Sequence, residues 1–297
     1  MSEIILGGEA VRAGVVTRHE LSRWYTTIYR GVYARKGEQL TLRDRATAAW
    51  LVTGRKGVIA GVAAAALHGA PWIGADIPIE VAGLKRRPQD GLITRADVLV
   101  DDEIVRRCGL PVTSRIRTAF DLGRLLPRAV ALARLDSLMW NQAFAIEDVL
   151  QLADRHPRLV GVGQLRDLLP LVDGGAASPR ESRVRLWLLD CGFPRPETQI
   201  PMLDGDRPAF LDMGWRQYKV AVEYDGDHHR KDRAQYVSDI ARLRMLEEAG
   251  WIVIRVIAED RPAHWLARTE VALRRRGCPF TVTPMQSFAR TLAGAAA

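Results

Sequence analysis

The most constraining feature of the sequence is an apolar segment that carries two acidic side chains. Residues 218–225 read Tyr-Lys-Val-Ala-Val-Glu-Tyr-Asp, an aromatic and β-branched run that predicts a β-strand. Because side chains alternate between the two faces of a strand, Glu223 and Asp225 lie on the same face as Lys219 and Ala221. Two carboxylates on one face of an apolar sheet repel each other unless a cation or a basic group lies between them. The fold must therefore bring positive charge to this strand.

The neighbouring segments predict an α/β domain around the strand. Ser178, Pro179 and Glu181 have the residue types of a helix N-cap, a first helical position and a third helical position. The segments that follow have the patterns of strand, strand, helix and buried strand, at residues 210–213, 218–225, 236–246 and 251–257. Helices and strands therefore alternate in this part of the chain.

Four acidic residues can meet in this domain. Asp212 lies on the strand before Glu223 and Asp225, and Glu181 lies at the start of the preceding helix. Carboxylate oxygens are ligands of hard divalent cations, and Mg²⁺ bound in this way keeps water molecules for chemistry. We therefore predict Mg²⁺ or Mn²⁺ ligands at Asp212, Glu223 and Asp225, with Glu181 as a further catalytic residue. Two of these residues also have a purely structural interpretation: Glu181 in a capping box, and Asp225 in an Asp-Gly turn.

Together these residues resemble the nuclease-like domain related to very-short-patch-repair endonucleases, a branch of the PD-(D/E)XK superfamily. The resemblance covers roughly residues 176–290 and rests on Glu223-Tyr224-Asp225-Gly226-Asp227-His228-His229, with Asp212 before it and Tyr236, Asp239, Arg242, Leu246, Gly250 and the strand containing Arg255 after it. It implies metal-dependent hydrolysis of DNA phosphodiester bonds. The acidic site would be formed by Glu181, Asp212, Glu223 and Asp225, and His229 would be the motif histidine.

The sequence departs from the superfamily pattern at one position. The usual lysine, two residues after the strand glutamate, is here Asp225. Lys219 is a poor substitute, because four residues of strand separate it from Glu223 by about 13 Å. His229 is expected to assist proton transfer, and Arg255 to pair with a carboxylate or to stabilise developing negative charge.

The N-terminal residues 1–60 predict a winged-helix-like module. Thr17 and Glu20 form a capping box that begins a short helix, and residues 28–37 predict a β-hairpin. Only residues 22–27 separate the two, too few for a recognition helix, so contact with phosphates is expected rather than base-specific reading. The predicted nucleic-acid contacts are Arg18, Arg23, Arg30, Arg35 and Lys36, together with Arg242 of the C-terminal domain.

The middle region, residues 61–175, is predicted to be mostly helical, and the Gly-rich stretch at residues 171–179 predicts its end. The first 175 residues resemble the architecture of AbiEi-like antitoxins and transcriptional regulators. The matching pieces are residues 14–21, 30–33, 60–69 and 110–122. This resemblance implies a DNA-binding protein, and for the whole chain we expect a toxin, antitoxin or repair protein as partner.

Charge supports a polyanion as partner. The net charge is +8, with ten Lys and Arg against five Asp and Glu in residues 1–60, and fourteen against fourteen in residues 61–175. The cysteines, Cys108, Cys191 and Cys278, are too widely spaced to indicate a disulfide framework or a zinc site. No basic leader and no long apolar run is present, so we expect a cytoplasmic protein without membrane contact.

We therefore expect an α+β multi-domain protein: a winged-helix-like N-terminal module, a mostly helical middle and a C-terminal α/β restriction-endonuclease-like domain with a central mixed sheet, at residues 176–297. The favoured function is a Mg²⁺-dependent DNA endonuclease in DNA repair or defence. Two alternatives stay open: a DNA-binding antitoxin-like regulator with an inactive nuclease fold, and an RNA-cleaving toxin. The acidic residues do not themselves select DNA or RNA.

Overall fold

The computed structural model describes residues 3–204, 207–226 and 233–282. The chain divides into two compact units: residues 1–126 and 137–170 form the first, and residues 127–136 and those from 171 onward form the second. The division into three parts at residues 60 and 175 stays a prediction. Helices and mixed sheets occur in the described parts of both units, which is the expected α+β class.

The first unit begins with two short helices and a hairpin. The elements are β1 (Ile4–Leu6), α1 (Gly7–Arg12), α2 (Arg18–Trp24), β2 (Tyr25–Tyr29) and β3 (Val32–Arg35). The predicted capping box is confirmed, because the Thr17 hydroxyl accepts the Glu20 backbone N–H at 3.1 Å and the Glu20 carboxylate accepts the Thr17 N–H at 2.8 Å. The hairpin is also confirmed, and β1 adds to it in the order β1-β3-β2. Helix α1 was not predicted.

A five-stranded sheet follows in the first unit. Its strands are β4 (Val58–Ala60), β5 (Ile79–Ala82), β6 (Leu92–Arg95), β7 (Ile104–Arg107) and β8 (Leu110–Thr113). The helices in this part of the chain are α3 (Leu42–Val52), α4 (Gly61–Leu67), α5 (Arg115–Leu125), α6 (Arg128–Met139), α7 (Ile146–Arg155) and α8 (Val162–Leu168). The strand order is β6-β5-β4-β8-β7, and the division between the units falls within α6. Ile59, Val81 and Val112 of this sheet share one core with Tyr29 and Val32 of the hairpin.

The prediction of a mostly helical middle is therefore only partly correct. Helices cover more of residues 61–175 than strands do, but four strands also lie there. Each of the four is only four residues long. So short a run gives almost no periodic signal, and in β7 it includes two arginines.

A buried group of charges fixes helix α5 in the first unit. Arg117 is fully buried; its Nε donates to Asp121 Oδ2 at 3.1 Å, its Nη2 donates to Asp97 Oδ2 at 3.1 Å, and its Nη1 donates to Glu103. Arg124 also contacts Asp121 and Asp97. Burial opposes the charge of Asp121, yet the surrounding guanidinium groups hold the pKa of this carboxyl below its usual value. We call these five residues the α5 charge network.

The second unit contains a four-stranded mixed sheet with helices on both faces. Its elements are α9 (Pro179–Asp190), β9 (Glu197–Asp204), β10 (Arg207–Trp215), β11 (Val220–Tyr224), α10 (Arg233–Glu248), β12 (Ile252–Val256) and α11 (Pro262–Arg275). The strand order is β12-β11-β10-β9; β11 is antiparallel to β10 and parallel to β12. The expected mixed sheet is therefore present, together with a strand, β9, that was not predicted.

Strand β11 lies in the interior of this sheet, and its two faces contact different helices. Val220 and Val222 pack with residues of α9 and α11, whereas Ala221 packs with Leu246 of α10. The predicted alternation is thus confirmed within the strand. Lys219 is the exception: it precedes the strand with a left-handed φ of 49°, and its ammonium donates to the Ala249 carbonyl oxygen at 2.9 Å. It does not share the acidic face.

Among the described residues, no helix combines the length and apolar character that a membrane span requires.

Candidate active site

The fold brings the four predicted acidic residues of the second unit together. Asp212 lies on β10, Glu223 on β11, Asp225 directly after β11, and Glu181 in the first turn of α9. The charge of Asp212 raises the pKa of both Glu181 and Glu223, and the charge of Asp225 raises the pKa of Asp212. Burial is the larger cause of the raised pKa of Glu181, Asp212 and Glu223, so these repulsions act in a poorly solvated place. We call the four residues the carboxylate cluster.

Glu181 has both a structural position and an unusual protonation equilibrium. Its backbone N–H donates to the Ser178 hydroxyl at 3.1 Å, which is the predicted N-cap bond. Its carboxylate accepts the backbone N–H of Ala177 at 2.8 Å and the amide of Gln199 at 3.3 Å. Burial first, and then the charge of Asp212, raise the pKa of Glu181 to about 7. The side chain can therefore hold or release a proton near neutral pH.

Asp212 joins the two strands of the site. Its Oδ2 accepts the backbone N–H of Tyr224 at 2.8 Å, beyond the Met213–Val222 pair at which the ladder between β10 and β11 ends. Burial raises the pKa of Asp212, although this hydrogen bond and the charge of Arg242 oppose the shift. The bond fixes Asp212 close to Glu223, one residue before Tyr224.

Two arginines supply the positive charge that the sequence of β11 requires. Arg242 of α10 donates to Glu223 Oε1 at 2.5 Å and to Oε2 at 3.4 Å, and also to the Phe210 carbonyl oxygen at 2.6 Å. Arg255 of β12 lies opposite Glu223 in the parallel register and pairs with Asp225. The expected pairing of Arg255 with a carboxylate is confirmed. Arg242, expected to contact nucleic acid, lies in the carboxylate cluster.

Burial and the charge of Arg242 shift the pKa of Glu223 in opposite directions. Only 7% of the residue is exposed, and burial raises its pKa, while Arg242 lowers it and Asp212 raises it further. A buried glutamate next to a second carboxylate is costly unless it is compensated. In this structure Arg242 provides that compensation.

Two further expectations for the site concern His229 and a metal ion. His229, expected to assist proton transfer, lies outside the described residues. Within residues 3–204, 207–226 and 233–282, no three His, Cys, Asp or Glu side chains are arranged to hold a metal ion. Metal binding by Asp212, Glu223 and Asp225 therefore stays a prediction.

The sequence analysis missed Arg180 as a residue of this site. Its guanidinium lies 5.3 Å from the centre of the Tyr224 ring, and its Nη1 lies 4.0 Å from the position that a Cβ atom at Gly226 would take. The side chain is exposed and has no acidic partner among the described residues. It thus presents a positive charge beside Asp225. Arg180 could not be predicted from the residues next to it in the sequence, because it contacts Tyr224, which lies far along the chain at the end of β11.

The basic residues predicted at the N-terminus are all exposed in the first unit. They are Arg18 and Arg23 on α2, Arg30 in the hairpin turn, and Arg35 and Lys36 at the end of β3. The ammonium of Lys36 donates to the Ser22 carbonyl oxygen at 3.0 Å, and Arg35 lies 3.8 Å from Glu3. Helix α2 is preceded by α1 and followed directly by the hairpin, so both basic helix residues lie between a turn and a wing-like hairpin.

Comparisons with known proteins give relatives but no activity. No protein-family model matches the chain. Two uncharacterized proteins of Mycobacterium tuberculosis are each 30% identical to it over 179 residues, which is 60% of this chain and 65% of the relative. The aligned region thus spans less than two thirds of the curated relatives that it matches.

The raised pKa of Glu181 predicts a pH-dependent stability. The folded pKa of about 7 exceeds the ordinary value of 4.5, so folding favours the protonated form. The resulting stability is complete below pH 4.5 and is lost as the pH rises through 7. We expect Glu181→Gln, which stays neutral, to be more stable than the wild type at pH 8 by about 3 kcal/mol, and equally stable at pH 4. Urea unfolding in EDTA at both pH values measures this difference.

The matched control for this measurement is Glu248→Gln, on the exposed surface of α10. It should leave the pH dependence of stability unchanged. If Glu181→Gln and the wild type lose stability equally between pH 4 and pH 8, the pKa of Glu181 is not raised.

Proposed function

We propose that the second unit is a metal-dependent nuclease that hydrolyses phosphodiester bonds in DNA. The observation that carries the proposal is the carboxylate cluster, in which Glu181, Asp212 and Glu223 lie close together and have pKa values raised by burial. Collecting acidic groups in a buried place costs stability, and groups of carboxyls with raised pKa values are concentrated at functional sites. A catalytic site gains the ability to bind a cation and to move protons.

The donor set fits a hard divalent cation. Asp212 and Glu223 offer carboxylate oxygens from adjacent strands, and Asp225 directly follows the strand that carries Glu223. Arg242 and Arg255 neutralise Glu223 and Asp225 in the structure, so a cation would take over part of that role. Bound Mg²⁺ or Mn²⁺ would supply Lewis-acid polarisation of the phosphate and a more acidic water molecule.

The remaining chemistry is assigned to side chains of this chain. Glu181, with a pKa of about 7, accepts a proton from an attacking water molecule near neutral pH. Arg180, exposed beside Tyr224, binds a phosphate of the substrate and offsets its negative charge. His229 keeps the proton-transfer role that the resemblance gives it. Arg180 thus provides the positive charge that the usual lysine of the superfamily would provide at the position of Asp225.

DNA is proposed as the substrate because of the first unit. Helix α1, the turn at residues 13–17, helix α2 and the hairpin have the order of a helix–turn–helix with a wing. The sequence analysis placed the recognition helix after α2 and found no room for it. We assign the role of recognition helix to α2, which follows α1, and propose that its exposed Arg18 and Arg23 contact the duplex.

A DNA-binding regulator with an inactive nuclease fold is the second candidate. Two observations favour it: the same helix–turn–helix order, and the arginines that already pair with Glu223 and Asp225. A toxin or antitoxin partner belongs to this candidate.

The deciding experiment is a cleavage assay of the full chain. Plasmid DNA, linear duplex, single-stranded DNA and RNA are each incubated with Mg²⁺, Mn²⁺ or EDTA. The nuclease proposal predicts DNA cleavage with either cation and none in EDTA. Duplex binding without cleavage under both cations supports the regulator, and cleavage of RNA alone supports a toxin.

Helix α2 provides a separate prediction about DNA binding. Arg18→Gln/Arg23→Gln should weaken duplex binding in EDTA and make the salt dependence shallower by about two units of log–log slope, because two phosphate contacts are lost. Fluorescence anisotropy over a salt series measures this change. Arg107→Gln/Arg158→Gln, exposed and equal in charge change, is the control. Equal slopes for the two double variants would exclude α2 from the DNA interface.

A further inference from the structure

A cavity in the first unit is lined by three arginines from two separate segments. Its volume is about 350 Å³, and the lining residues are Arg30, Val52, Arg86, Arg87, Pro88 and Gln89. Arg30 comes from the turn between β2 and β3, whereas the residues from 86 to 89 belong to the connection between β5 and β6. A basic site at Arg86 and Arg87 is not expected from the sequence, because residues 61–175 have no net charge. We call this feature the arginine cavity.

The two segments are fixed to each other by hydrogen bonds. The backbone N–H of Arg30 donates to Gln89 Oε1 at 2.7 Å, and the Tyr29 hydroxyl donates to the Gly91 carbonyl oxygen at 3.0 Å. The backbone N–H of Arg86 donates to the Thr94 hydroxyl at 3.1 Å. These bonds use backbone and neutral groups and leave the guanidinium groups free for another partner. The cavity is therefore held in shape without them.

The guanidinium groups of Arg30, Arg86 and Arg87 have no acidic partner among the described residues. Arg86 Nη2 lies 3.5 Å from the position that a Cβ atom at Gly54 would take, beside the end of α3. All three residues are exposed to solvent, in contrast to the buried and paired arginines of the α5 charge network. Three like charges around one cavity repel one another, and an anion inside it would offset that repulsion.

We propose that the arginine cavity binds a phosphate group. Guanidinium groups form two parallel hydrogen bonds with phosphate oxygens, and three of them around one cavity can surround a single tetrahedral anion. The phosphate belongs either to a nucleic-acid backbone or to a free phosphate ester; the nucleic-acid source rests on the proposed function. If the ligand is nucleic acid, the turn between β2 and β3 and the residues 85–89 bind the backbone of one nucleic-acid strand beside helix α2.

The test uses the full chain in EDTA, so that cleavage plays no part. Arg86→Gln/Arg87→Gln is compared with wild type and with Arg106→Gln/Arg107→Gln, an exposed pair of equal charge change in the same unit. One arm titrates a short duplex DNA over a salt series, and the other titrates inorganic phosphate by calorimetry. Thermal unfolding followed by circular dichroism confirms that all three proteins are folded.

The proposal predicts that the cavity variant loses about tenfold in affinity for one of the two probes, while the control pair does not. If the probe is DNA, the slope of its salt dependence should also fall by about two units. A loss confined to inorganic phosphate supports the cavity with a free phosphate ester as ligand, even if the wild type neither binds nor cleaves DNA. Equal binding by the cavity variant and the wild type in both arms overturns the proposal, as does a wild type that binds neither probe.

Discussion

Glu223→Gln is expected to lower the rate of Mg²⁺-dependent DNA cleavage by about a thousandfold or more. The substitution removes one charged oxygen ligand and keeps the size of the side chain, so the loss falls on cation binding and on stabilisation of the phosphate. Metal-ion catalysis contributes several kcal/mol to such reactions, and 1.36 kcal/mol corresponds to a factor of ten. Single-turnover cleavage of a labelled duplex measures the effect.

Glu248→Gln is the matched control, since it removes the same charge from the exposed surface of α10. It should cleave at the wild-type rate. The amide of the Glu223→Gln variant can still accept a hydrogen bond from Arg242, so near-wild-type unfolding in urea is expected. A Glu223→Gln protein that cleaves as fast as the control would exclude Glu223 from the active site.

Arg117→Met is expected to lower the free energy of unfolding of the first unit by about 3–5 kcal/mol. Methionine fills much of the volume but removes the guanidinium that pairs with Glu103 and Asp121, both almost without solvent exposure. Asp121 keeps Arg95 and Arg124 as partners, so the larger loss falls on Glu103. Removing one member of a buried ion pair costs more than the pair itself contributes, because the remaining charge is desolvated. Urea unfolding at neutral pH measures this loss.

Arg107→Met, on the exposed part of β7, is the control for that measurement and should change stability by less than about 0.5 kcal/mol. The double variant Arg117→Met/Glu103→Gln should recover part of the loss, because the buried charge of Glu103, which loses its Arg117 partner, is gone. A single variant as stable as the control would show that the α5 charge network does not contribute to stability.

Local sequence signals predicted the parts of the fold that depend on neighbours in the chain. The capping box at Thr17 and Glu20, the N-cap at Ser178 and the alternation in β11 all involve residues within four positions of one another. The same locality placed Glu223 and Asp225 at one end of a strand. Their need for positive charge also followed from the sequence alone.

Features that depend on distant or weak signals were missed. Helix α1 begins with Gly7 and Gly8, and glycine disfavours a helix by about 1 kcal/mol relative to alanine. The helix propensity of this segment is therefore too low to predict the helix. Gly7 is nevertheless required, because a Cβ atom there would lie 2.6 Å from the ring of Tyr33. The arginine partners of the carboxylates could not be predicted either, because Arg242, which donates to Glu223, lies 19 residues later in the chain on a helix. Such a pairing follows only from tertiary packing.

The most direct test of the central claim is a crystal of the full chain soaked in Mn²⁺ and measured at the manganese absorption edge. The proposed nuclease predicts an anomalous peak between the carboxylates of Asp212 and Glu223, with Arg242 displaced from Glu223. No peak there at a Mn²⁺ concentration that supports cleavage, with Arg242 still paired to Glu223, would contradict the assignment of the carboxylate cluster as the metal centre.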